Sequence, residues 1–570
     1  MRLRPLHGLC LALILLGLAG SRGGIDPLSV PSGDEATYVL ATQSLWHDRD
    51  LSWDRQDLAR AGRLWGRGPA GLTLLTNDGG KTLRYGRPLV YPAAALPFYA
   101  LLGVRGFAVF NMLLFLGMAA AGWYALRDET GAAALFAAGF FFASAFFAGV
   151  FRAGPEVFAG ACLFFALFLW RHGQSPRSLA AAGLLLAAAA FALPWTALLA
   201  LPVLADLGLR RRFRHALAVL LPALLTFGAL ALVEWRLTGD WTAQGGVQRR
   251  TFESEFPLET TADLWQGYRG AEPASDLATG LRLLPRNALY LLAGRHTGLL
   301  PYFPFALLAL GLAFTKPGDR ARRLLVAALA VYGAAILLVH PHDFHGGPGA
   351  LGSRYLAAVY PAFFFLPGRI AVRRLLVLPY AAAGLWTAAA ILAALPPALP
   401  APPGTAAFGA LPLELTLLPG GHLSGYAAQT WGDAVWIVPA DAFFVEEKHP
   451  HGVWVEGATR SEVVVVSPVP LARLRFTVYS LAAENELTLE SGTDRLLVRF
   501  DTEGKRAGTP VDLAVQPVAR DLGFFPGVTG DLFYRFTLET TGGAVPARIE
   551  ARSRDPRYLG VFLDFTGEGP

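Results

Sequence analysis

The sequence predicts a polytopic α-helical membrane protein with a C-terminal all-β domain. The chain has 570 residues and is 54% hydrophobic. Most of its apolar residues form runs long enough to cross a bilayer, for which about 20 residues are needed. The short connections between many of these runs are rich in arginine. From residue 397 the pattern changes to short apolar stretches separated by turn residues, which is typical of a soluble β domain.

The apolar runs predict about eleven membrane spans within residues 1–396. They lie near residues 7–21, 105–126, 131–149, 156–170, 177–193, 195–209, 216–234, 298–314, 323–340, 355–368 and 375–396. The first run also has the form of an export signal. A retained helix fits better, because the small residues near Gly20 make a poor cleavage site. In either case the segment that follows is exported.

Basic residues give these spans an orientation. If the N-terminus is cytoplasmic, every second loop carries Arg or Lys, as the positive-inside rule requires. These inner loops contain Arg127; Arg171 and Arg177; Arg210, Arg211, Arg212 and Arg214; Lys316, Arg320, Arg322 and Arg323; and Arg369, Arg373 and Arg374. An error of one span would place the basic residues of all later loops on the outer side, and no such inversion is seen. The heavy use of Ala, Leu, Gly and Arg indicates a bacterial source, so we expect a multi-pass protein of the bacterial inner membrane.

Two of the outer loops are long and hold many of the polar residues of the membrane part. The first covers residues 22–104 and the second covers residues 235–297. Functional residues concentrate on long loops that a rigid scaffold holds in position. We therefore expect the active part of the molecule on the periplasmic side.

The C-terminal part follows a Pro-rich linker at 397–420. Residues 421–570 contain many short β-type runs between turn residues, which predicts a periplasmic β-sandwich of jelly-roll type. Its tryptophans are candidates for stacking on sugars, but we expect most of them in the core: Trp431, Trp436 and Trp454. Carbohydrate binding does not follow from the predicted fold.

Composition argues against two other kinds of site. The net charge of +6 does not indicate nucleic-acid binding, because much of the arginine surplus lies in the loops between spans. The two cysteines, Cys10 and Cys162, both fall inside apolar runs. The sequence therefore has no cysteine cluster for a metal.

The segment PSGDEATY, residues 31–38, begins a predicted helix on the exported side. Ser32 and Glu35 fit the S-x-x-E pattern of a capping box, in which two side chains satisfy the first amides of a helix. If Glu35 serves the cap, Asp34 remains at the helix N-terminus, where the helix dipole keeps it ionised. Capping and chemistry are therefore compatible in this pair.

The order of features resembles the GT-C superfamily of integral-membrane glycosyltransferases. A short N-terminal span is followed by the exported Asp34-Glu35 pair, a Pro-containing return at Arg87-Pro88 and Tyr91-Pro92, and a span from Arg105. Within that superfamily the chain resembles bacterial relatives of protein O-mannosyltransferases and lipid A aminoarabinose transferases, which are glycosyltransferase family 39-like. The resemblance covers roughly residues 1–370. It implies a polyprenyl-phosphate-linked sugar as donor and an exported glycan, lipid or protein as acceptor.

Such a transfer needs a base for the acceptor hydroxyl and a fixed cation for the leaving phosphate. Asp34 is the predicted base, and Glu35 is the second catalytic candidate. The predicted phosphate ligands are arginines at the ends of outer loops: Arg354, Arg295 and Arg152. Arg354 could instead be an interfacial anchor, and Arg152 could simply pair with Glu156.

The outer loop HPHDFHGGPGALGSRY, residues 340–355, is rich in histidine and glycine. We predict sugar or acceptor contacts for four of its residues: His342, Asp343, His345 and Tyr355. Together with His340 these side chains also suggest a divalent ion, but their spacing matches no metal motif. No cofactor is expected.

Two other functions remain open. A transporter or flippase of lipid-linked sugars fits the membrane architecture, but the spans carry few of the intramembrane charges that transport pathways need. The sequence also has no obvious pair of repeated halves. A non-catalytic membrane scaffold that presents the β domain is the third alternative.

Overall fold

The structure is a computed structural model of the full chain. It describes residues 33–66, 68–69, 71–76, 78, 81–126, 133–173, 175–241, 248–252, 277–314, 319–347, 352–367, 382, 408–419, 423, 425–431, 434–440, 442–445, 452–482, 484–500, 508–520, 531–549 and 553–565. The predicted span at 7–21 lies outside these residues, and so does the span at 375–396 except for residue 382. So do Ser32 of the predicted capping box and the first part of the predicted linker.

Up to residue 367 the described chain is mainly helical. The helices are α1 (Gly33–His47), α2 (Arg55–Trp65), α3 (Val90–Leu102), α4 (Arg105–Leu126), α5 (Ala133–Phe142), α6 (Ala145–Ala148), α7 (Glu156–Phe168), α8 (Pro176–Ala192), α9 (Leu201–Leu209), α10 (Phe213–Thr238), α11 (Leu277–Ala293), α12 (Leu299–Tyr302), α13 (Pro304–Phe314), α14 (Arg320–Val339) and α15 (Arg354–Val359). A π-helical turn, Leu169–Gly173, continues α7.

Four of the described helices are long and apolar enough to cross a membrane by length and composition. They are α4, α7 with its π-helical turn, α10 and α14. Shorter apolar helices cover Val90–Leu102, Pro176–Ala192, Pro194–Leu209 and Pro304–Phe314. These helices support an integral membrane protein. The number of about eleven spans stays a prediction.

Three predicted spans are interrupted helices. In the span predicted at 131–149, α5 ends before Ser144, whose backbone is extended (φ −152°, ψ 156°). The span predicted at 298–314 is divided between α12 and α13 at Phe303, just before Pro304. In the span predicted at 355–368, α15 continues as a 3-10 helix that contains Pro361. Two of the breaks coincide with Pro, which lacks the N–H that an α-helix interior needs.

The second long outer loop is more structured than the sequence predicts. Residues 277–293 of this loop form helix α11, which packs against α14. The helix is amphipathic, with Arg282 and Arg286 among its leucines. It was therefore not recognised as one of the uniformly apolar spans.

A small sheet joins the two long loops that are predicted to be outer loops. Its strands are β1 (Leu72–Thr76), β2 (Arg84–Tyr85) and β3 (Gln248–Phe252). β1 pairs antiparallel with both of the others, although β3 comes from the second loop. Helix α1 packs against β1 and α3, so the start of α1 is held by the first outer loop.

The C-terminal part is all-β apart from one short helix, α16 (Pro546–Ile549). Its strands are β4 (Tyr426–Trp431), β5 (Ala434–Pro439), β6 (Phe443–Val445), β7 (Gly452–Glu456), β8 (Arg460–Ser467), β9 (Arg473–Ser480), β10 (Asn485–Ser491), β11 (Asp494–Phe500), β12 (Thr509–Ala514), β13 (Pro517–Arg520), β14 (Leu532–Thr540) and β15 (Leu559–Asp564). One sheet has the order β11-β10-β14-β8-β5-β4 with β13 on β14, and the other has the order β12-β9-β15-β7-β6.

Alternating side chains of these strands fill the space between the two sheets. In β9, Leu474, Phe476 and Val478 are buried, while Arg473 and Arg475 on the other face are exposed. This alternation follows from the period of two in a β-strand. Trp436 is buried against Phe476, as expected for a core tryptophan. Trp454 is half-buried beside Phe562.

A buried carboxylate fastens the segment 408–419 to the membrane part. Glu414 Oε1 accepts hydrogen bonds from the backbone N of His296 (2.7 Å) and Thr297 (2.9 Å), and from Thr297 Oγ1 (3.0 Å). Burial raises the pKa of Glu414 to about 7, although these donors act in the opposite direction. Its Oε2 has no hydrogen-bond partner among the described residues. The junction therefore favours a protonated carboxyl group.

Candidate active site

The first turn of α1 carries the acid pair. The helix begins at Gly33, whose positive φ of 58° suits glycine. Asp34 and Glu35 follow directly. One turn later, Thr37 Oγ1 donates to the Gly33 carbonyl and accepts from the backbone N of Thr73 in β1, both at 3.0 Å. The position of the acid pair is therefore fixed by the sheet of the outer loops.

Two arginines bind the carboxylate of Asp34. Arg87 donates from Nε to Asp34 Oδ1 at 2.9 Å and also from Nη2. Arg354 donates from Nη1 to the other oxygen, Oδ2, at 2.9 Å. The Asp34 side chain is 20% exposed. Both oxygens are therefore in use, but water and small ligands can still reach the group.

Arg354 bridges two carboxylates. Besides Asp34, it binds Glu156 Oε1 through Nε at 2.8 Å and through Nη2 at 2.7 Å. Its backbone N donates to the His345 carbonyl at 2.7 Å. It is the first residue of α15, whose N-cap Ser353 accepts from the backbone N of Leu356. The guanidinium is therefore held from a capped helix start.

Glu35 forms a salt bridge with Arg152. The carbonyl of Arg152 accepts a hydrogen bond from Asn111 Nδ2 at 2.8 Å, so helix α4 holds the loop in which Arg152 lies. The predicted capping box stays untested because Ser32 lies outside the described residues. The Glu35 carboxylate is nevertheless engaged with an arginine from a distant part of the chain.

These contacts form one charged cluster. It consists of Asp34, Glu35, Glu156, Arg87, Arg152 and Arg354. Burial alone would raise the pKa of Asp34, but the charges and hydrogen bonds of Arg87 and Arg354 outweigh burial and hold this pKa well below its usual range. Asp34 is therefore a carboxylate throughout the neutral range. It is a weak base while both arginines hold it.

Arg295, another predicted phosphate ligand, has partners outside the charged cluster. Its guanidinium donates to Glu462 Oε2 (2.7 Å), to the Gly409 carbonyl (2.9 Å) and to the Leu411 carbonyl (3.3 Å). The side chain is only 4% exposed. Since these contacts join the membrane part to the segment before the β domain and to β8, we assign Arg295 to that junction.

The four residues predicted to contact sugar or acceptor lie in and beside the loop before α15. Asp343 Oδ1 accepts from the backbone N of Gly347 at 2.8 Å and lies 3.3 Å from His345 Nδ1. The ring of Tyr355 stacks on His340, and His342 is half-buried in the same loop. Among the described residues, no three His, Cys, Asp or Glu side chains form a group suited to a metal ion.

Two members of the charged cluster had no predicted role in the site. Arg87 was recognised only as part of the Arg87-Pro88 return, three residues before α3 begins. Glu156 was considered only as a partner for Arg152, whereas its carboxylate binds Arg354. The sequence signal that could have identified Arg87 and Glu156 is their position, because both lie where a loop meets a helix.

No family model and no curated protein matches the chain. Among solved structures, the chain is similar to ArnT from Cupriavidus metallidurans bound to undecaprenyl phosphate, with 15% identity and a TM-score of 0.39, covering 68% of this chain and 70% of that chain. It is also similar to ArnT from the same organism in the apo state, with 17% identity and a TM-score of 0.39, covering 68% of this chain and 65% of that chain. ArnT is a GT-C lipid A aminoarabinose transferase, a group that the sequence resembles. Similarity of this degree does not establish the function. The function has to be argued from the chemistry of the site.

Proposed function

We propose that this protein is an integral-membrane glycosyltransferase of the GT-C superfamily. It takes a sugar from a polyprenyl-phosphate donor and transfers it to a hydroxyl of an exported glycan, lipid or protein. The reaction takes place at the periplasmic surface of a bacterial inner membrane. The charged cluster carries the proposal, because it combines arginines for a phosphate with carboxylates for a proton at the ends of apolar helices.

Arg354 is the proposed phosphate ligand. A phosphate presents oxygens to a planar guanidinium much as a carboxylate does. Arg354 binds Asp34 through Nη1 and Glu156 through Nε and Nη2. A donor phosphate can therefore take the Nη1 edge from Asp34 while Glu156 keeps the guanidinium in position. Arg87 and Arg152 add positive charge on either side, which stabilises the leaving phosphate.

Asp34 is the proposed base. When the phosphate takes Arg354, Asp34 Oδ2 loses its hydrogen-bond donor and is free to accept the proton of the acceptor hydroxyl. The hydroxyl oxygen forms a bond to the anomeric carbon, and the bond from this carbon to the phosphate oxygen breaks. The electron pair of that bond leaves with the polyprenyl phosphate. Asp34 therefore becomes a better base when the donor is bound.

The lipid tail needs apolar surface next to the charged cluster. Helix α10 supplies such surface along its length, since Leu217, Leu224 and Leu232 are exposed. Near the other end of the same helix, Glu234 Oε2 accepts a hydrogen bond from the backbone N of Leu89 at 3.0 Å. Leu89 comes two residues after Arg87. A lipid along α10 would thus lie beside the return that carries Arg87.

The test is transfer from a labelled donor by the purified full-length protein in proteoliposomes. We expect release or transfer of the labelled sugar by the wild type and strong loss in Arg354→Ala. Arg460→Gln is the matched control, because it removes an arginine that is 61% exposed on the β domain. Movement of intact donor across the bilayer would instead indicate a flippase. Failure to bind any polyprenyl-phosphate sugar would refute the proposal and favour a scaffold.

A further inference from the structure

We propose that the protein has a second anion site, which binds the phosphate group of an anionic lipid headgroup. The site is a cavity of about 300 Å³ between helix ends. Its lining includes three arginines, two histidines and two aspartates: Arg171, Arg210, Arg212, His172, His215, Asp206 and Asp319. Because the arginines outnumber the acids, the cavity favours an anion even when both histidines are neutral.

The cavity is separate from the charged cluster. Helix α7 and its π-helical turn extend over 18 residues from Glu156 in the cluster to Gly173 beside the cavity. At 1.5 Å per residue, these ends lie about 27 Å apart. Helix α14 likewise begins next to Asp319 and ends before His340. The cavity therefore opens toward the opposite membrane surface, where three predicted inner loops meet.

The backbone around the cavity is unusual at two points. The π-helical turn Leu169–Gly173 carries Arg171 and His172, and π-helical turns occur frequently at functional sites. Arg211 adopts a positive φ of 56° at the end of α9, where glycine is the usual residue. This turn presents Arg210 and Arg212 on either side. A left-handed residue is common after a helix C-terminus, so the φ of Arg211 does not by itself indicate a site; it places Arg210 and Arg212 at this helix end.

The two aspartates hold two of the arginines in position, and they do not neutralise the positive charge of all three. Asp319 Oδ2 accepts from Arg171 Nη2 at 2.6 Å, and Asp206 Oδ1 accepts from Arg210 Nε at 2.9 Å. Each guanidinium has five N–H donors, and these contacts use only part of them. Asp206 is 4% exposed whereas Arg210 is 41% exposed, so the acid lies behind the arginine. The remaining N–H donors of Arg171 and Arg210 can bind a phosphate at the membrane surface.

A lipid headgroup is the favoured source of this phosphate. The cavity lies where apolar helices end, and the ends of membrane-spanning helices are at the level of the lipid headgroups. Basic pockets between membrane helices on the cytoplasmic side bind anionic headgroups. A soluble phosphate shares the same chemistry, so the experiment has to separate the two sources.

The test is isothermal titration of the full-length protein in neutral detergent. The probes are dioctanoyl-phosphatidylglycerol, dioctanoyl-phosphatidylcholine and inorganic phosphate. We expect phosphatidylglycerol to bind, and Arg212→Gln to weaken it about tenfold, as expected for one lost charge-assisted hydrogen bond. Arg211→Gln is the matched control, since it removes the same charge from the same turn at a residue that does not line the cavity. If Arg212→Gln fails to fold, Arg210→Gln serves in its place.

Each outcome decides the proposal. Loss of phosphatidylglycerol binding in Arg212→Gln but not in Arg211→Gln supports the site. Inorganic phosphate binding that depends equally on Arg212 supports the anion site and assigns it to a soluble ligand. Equal loss in both variants would mean general surface charge and would overturn the proposal. Equal binding of phosphatidylcholine, or no binding of any probe, would overturn it too.

Discussion

Replacement of Asp34 by Asn removes one negative charge from the charged cluster at almost constant volume. Asp34 accepts hydrogen bonds from both Arg87 and Arg354. Removal of one partner from a buried ion pair costs about 3–5 kcal/mol. The group is 20% exposed, and Glu156 still binds Arg354. We therefore expect a smaller loss of about 2–3 kcal/mol, more than the loss of a cap alone would cause.

The activity of Asp34→Asn should fall much further than its stability. Loss of a general base typically costs about 10²–10⁴-fold in rate. Donor affinity should stay equal or increase, because the carboxylate that competes with the phosphate for Arg354 is gone. The measurements are thermal unfolding, binding of a labelled donor and sugar transfer by the same preparation.

Glu35→Gln is the matched control for this experiment. It removes the neighbouring charge, which forms a salt bridge with Arg152 and is 26% exposed. Such a pair contributes about 0.2–1 kcal/mol, and we expect much of the activity to remain. Near wild-type transfer by Asp34→Asn would show that Asp34 is not the base. Loss of donor binding in this variant would show that Asp34 organises the arginines instead.

Three further predictions concern other parts of the molecule. Arg354→Ala should weaken donor binding strongly in a binding assay, and Arg354→Lys should restore only part of it because Lys lacks the planar fork; unchanged binding in Arg354→Ala would make it an interfacial anchor. The pKa of Glu414 is raised to about 7 from 4.5. Between these pH values the folded state therefore holds a proton that the unfolded state has lost. The free energy of unfolding should fall by about 1–3 kcal/mol as pH rises from 4.5 to 7. Glu414→Gln should lose most of this dependence in thermal unfolding, and an unchanged slope would contradict the assignment. Gly183→Ala should destabilise by about 1–3 kcal/mol, because its Cβ would lie 2.1 Å from the Val219 carbonyl oxygen; Gly228→Ala in α10 meets open space and should show no loss by the same measurement.

The long helices could be predicted from sequence because their signal is local. Helix α4 has the bounds of the span predicted at 105–126. The break at Ser144 could not be predicted, because the residues around it are as apolar as the helices. The break at Phe303 does have a sequence signal, Pro304, which hydropathy alone does not register. Helix α11 was missed for the opposite reason. Its arginines exclude it from the uniformly apolar runs, and the signal it does carry is the helical spacing of its buried residues, Gly280, Leu283, Asn287 and Tyr290.

The position of the acid pair was predictable, but its partners were not. The pattern S-x-x-E before an apolar run is a signature of a helix start, and α1 begins at Gly33, within this pattern. The arginines that bind Asp34 lie 53 and 320 residues away, and a single sequence contains no signal for such distant pairs. The same rule of an arginine at a helix end selected Arg354 and Arg295. Arg295 differs because the segment 409–412 and Glu462 enclose it, and composition could not reveal that contact.

Donor binding should be coupled to proton uptake. The charged cluster has three arginines and three carboxylates, so it is balanced before a phosphate arrives. When the phosphate takes the Nη1 edge of Arg354, Asp34 stays buried, loses the Arg354 hydrogen bond and gains a negative charge nearby, so its pKa should rise toward or above its ordinary value of about 3.9. At about pH 5, donor binding should therefore take up a fraction of a proton. Calorimetry in two buffers with different ionisation enthalpies measures this fraction, which should vanish in Asp34→Asn and persist in Glu35→Gln. A binding enthalpy independent of the buffer would mean that the phosphate does not displace Asp34 from Arg354.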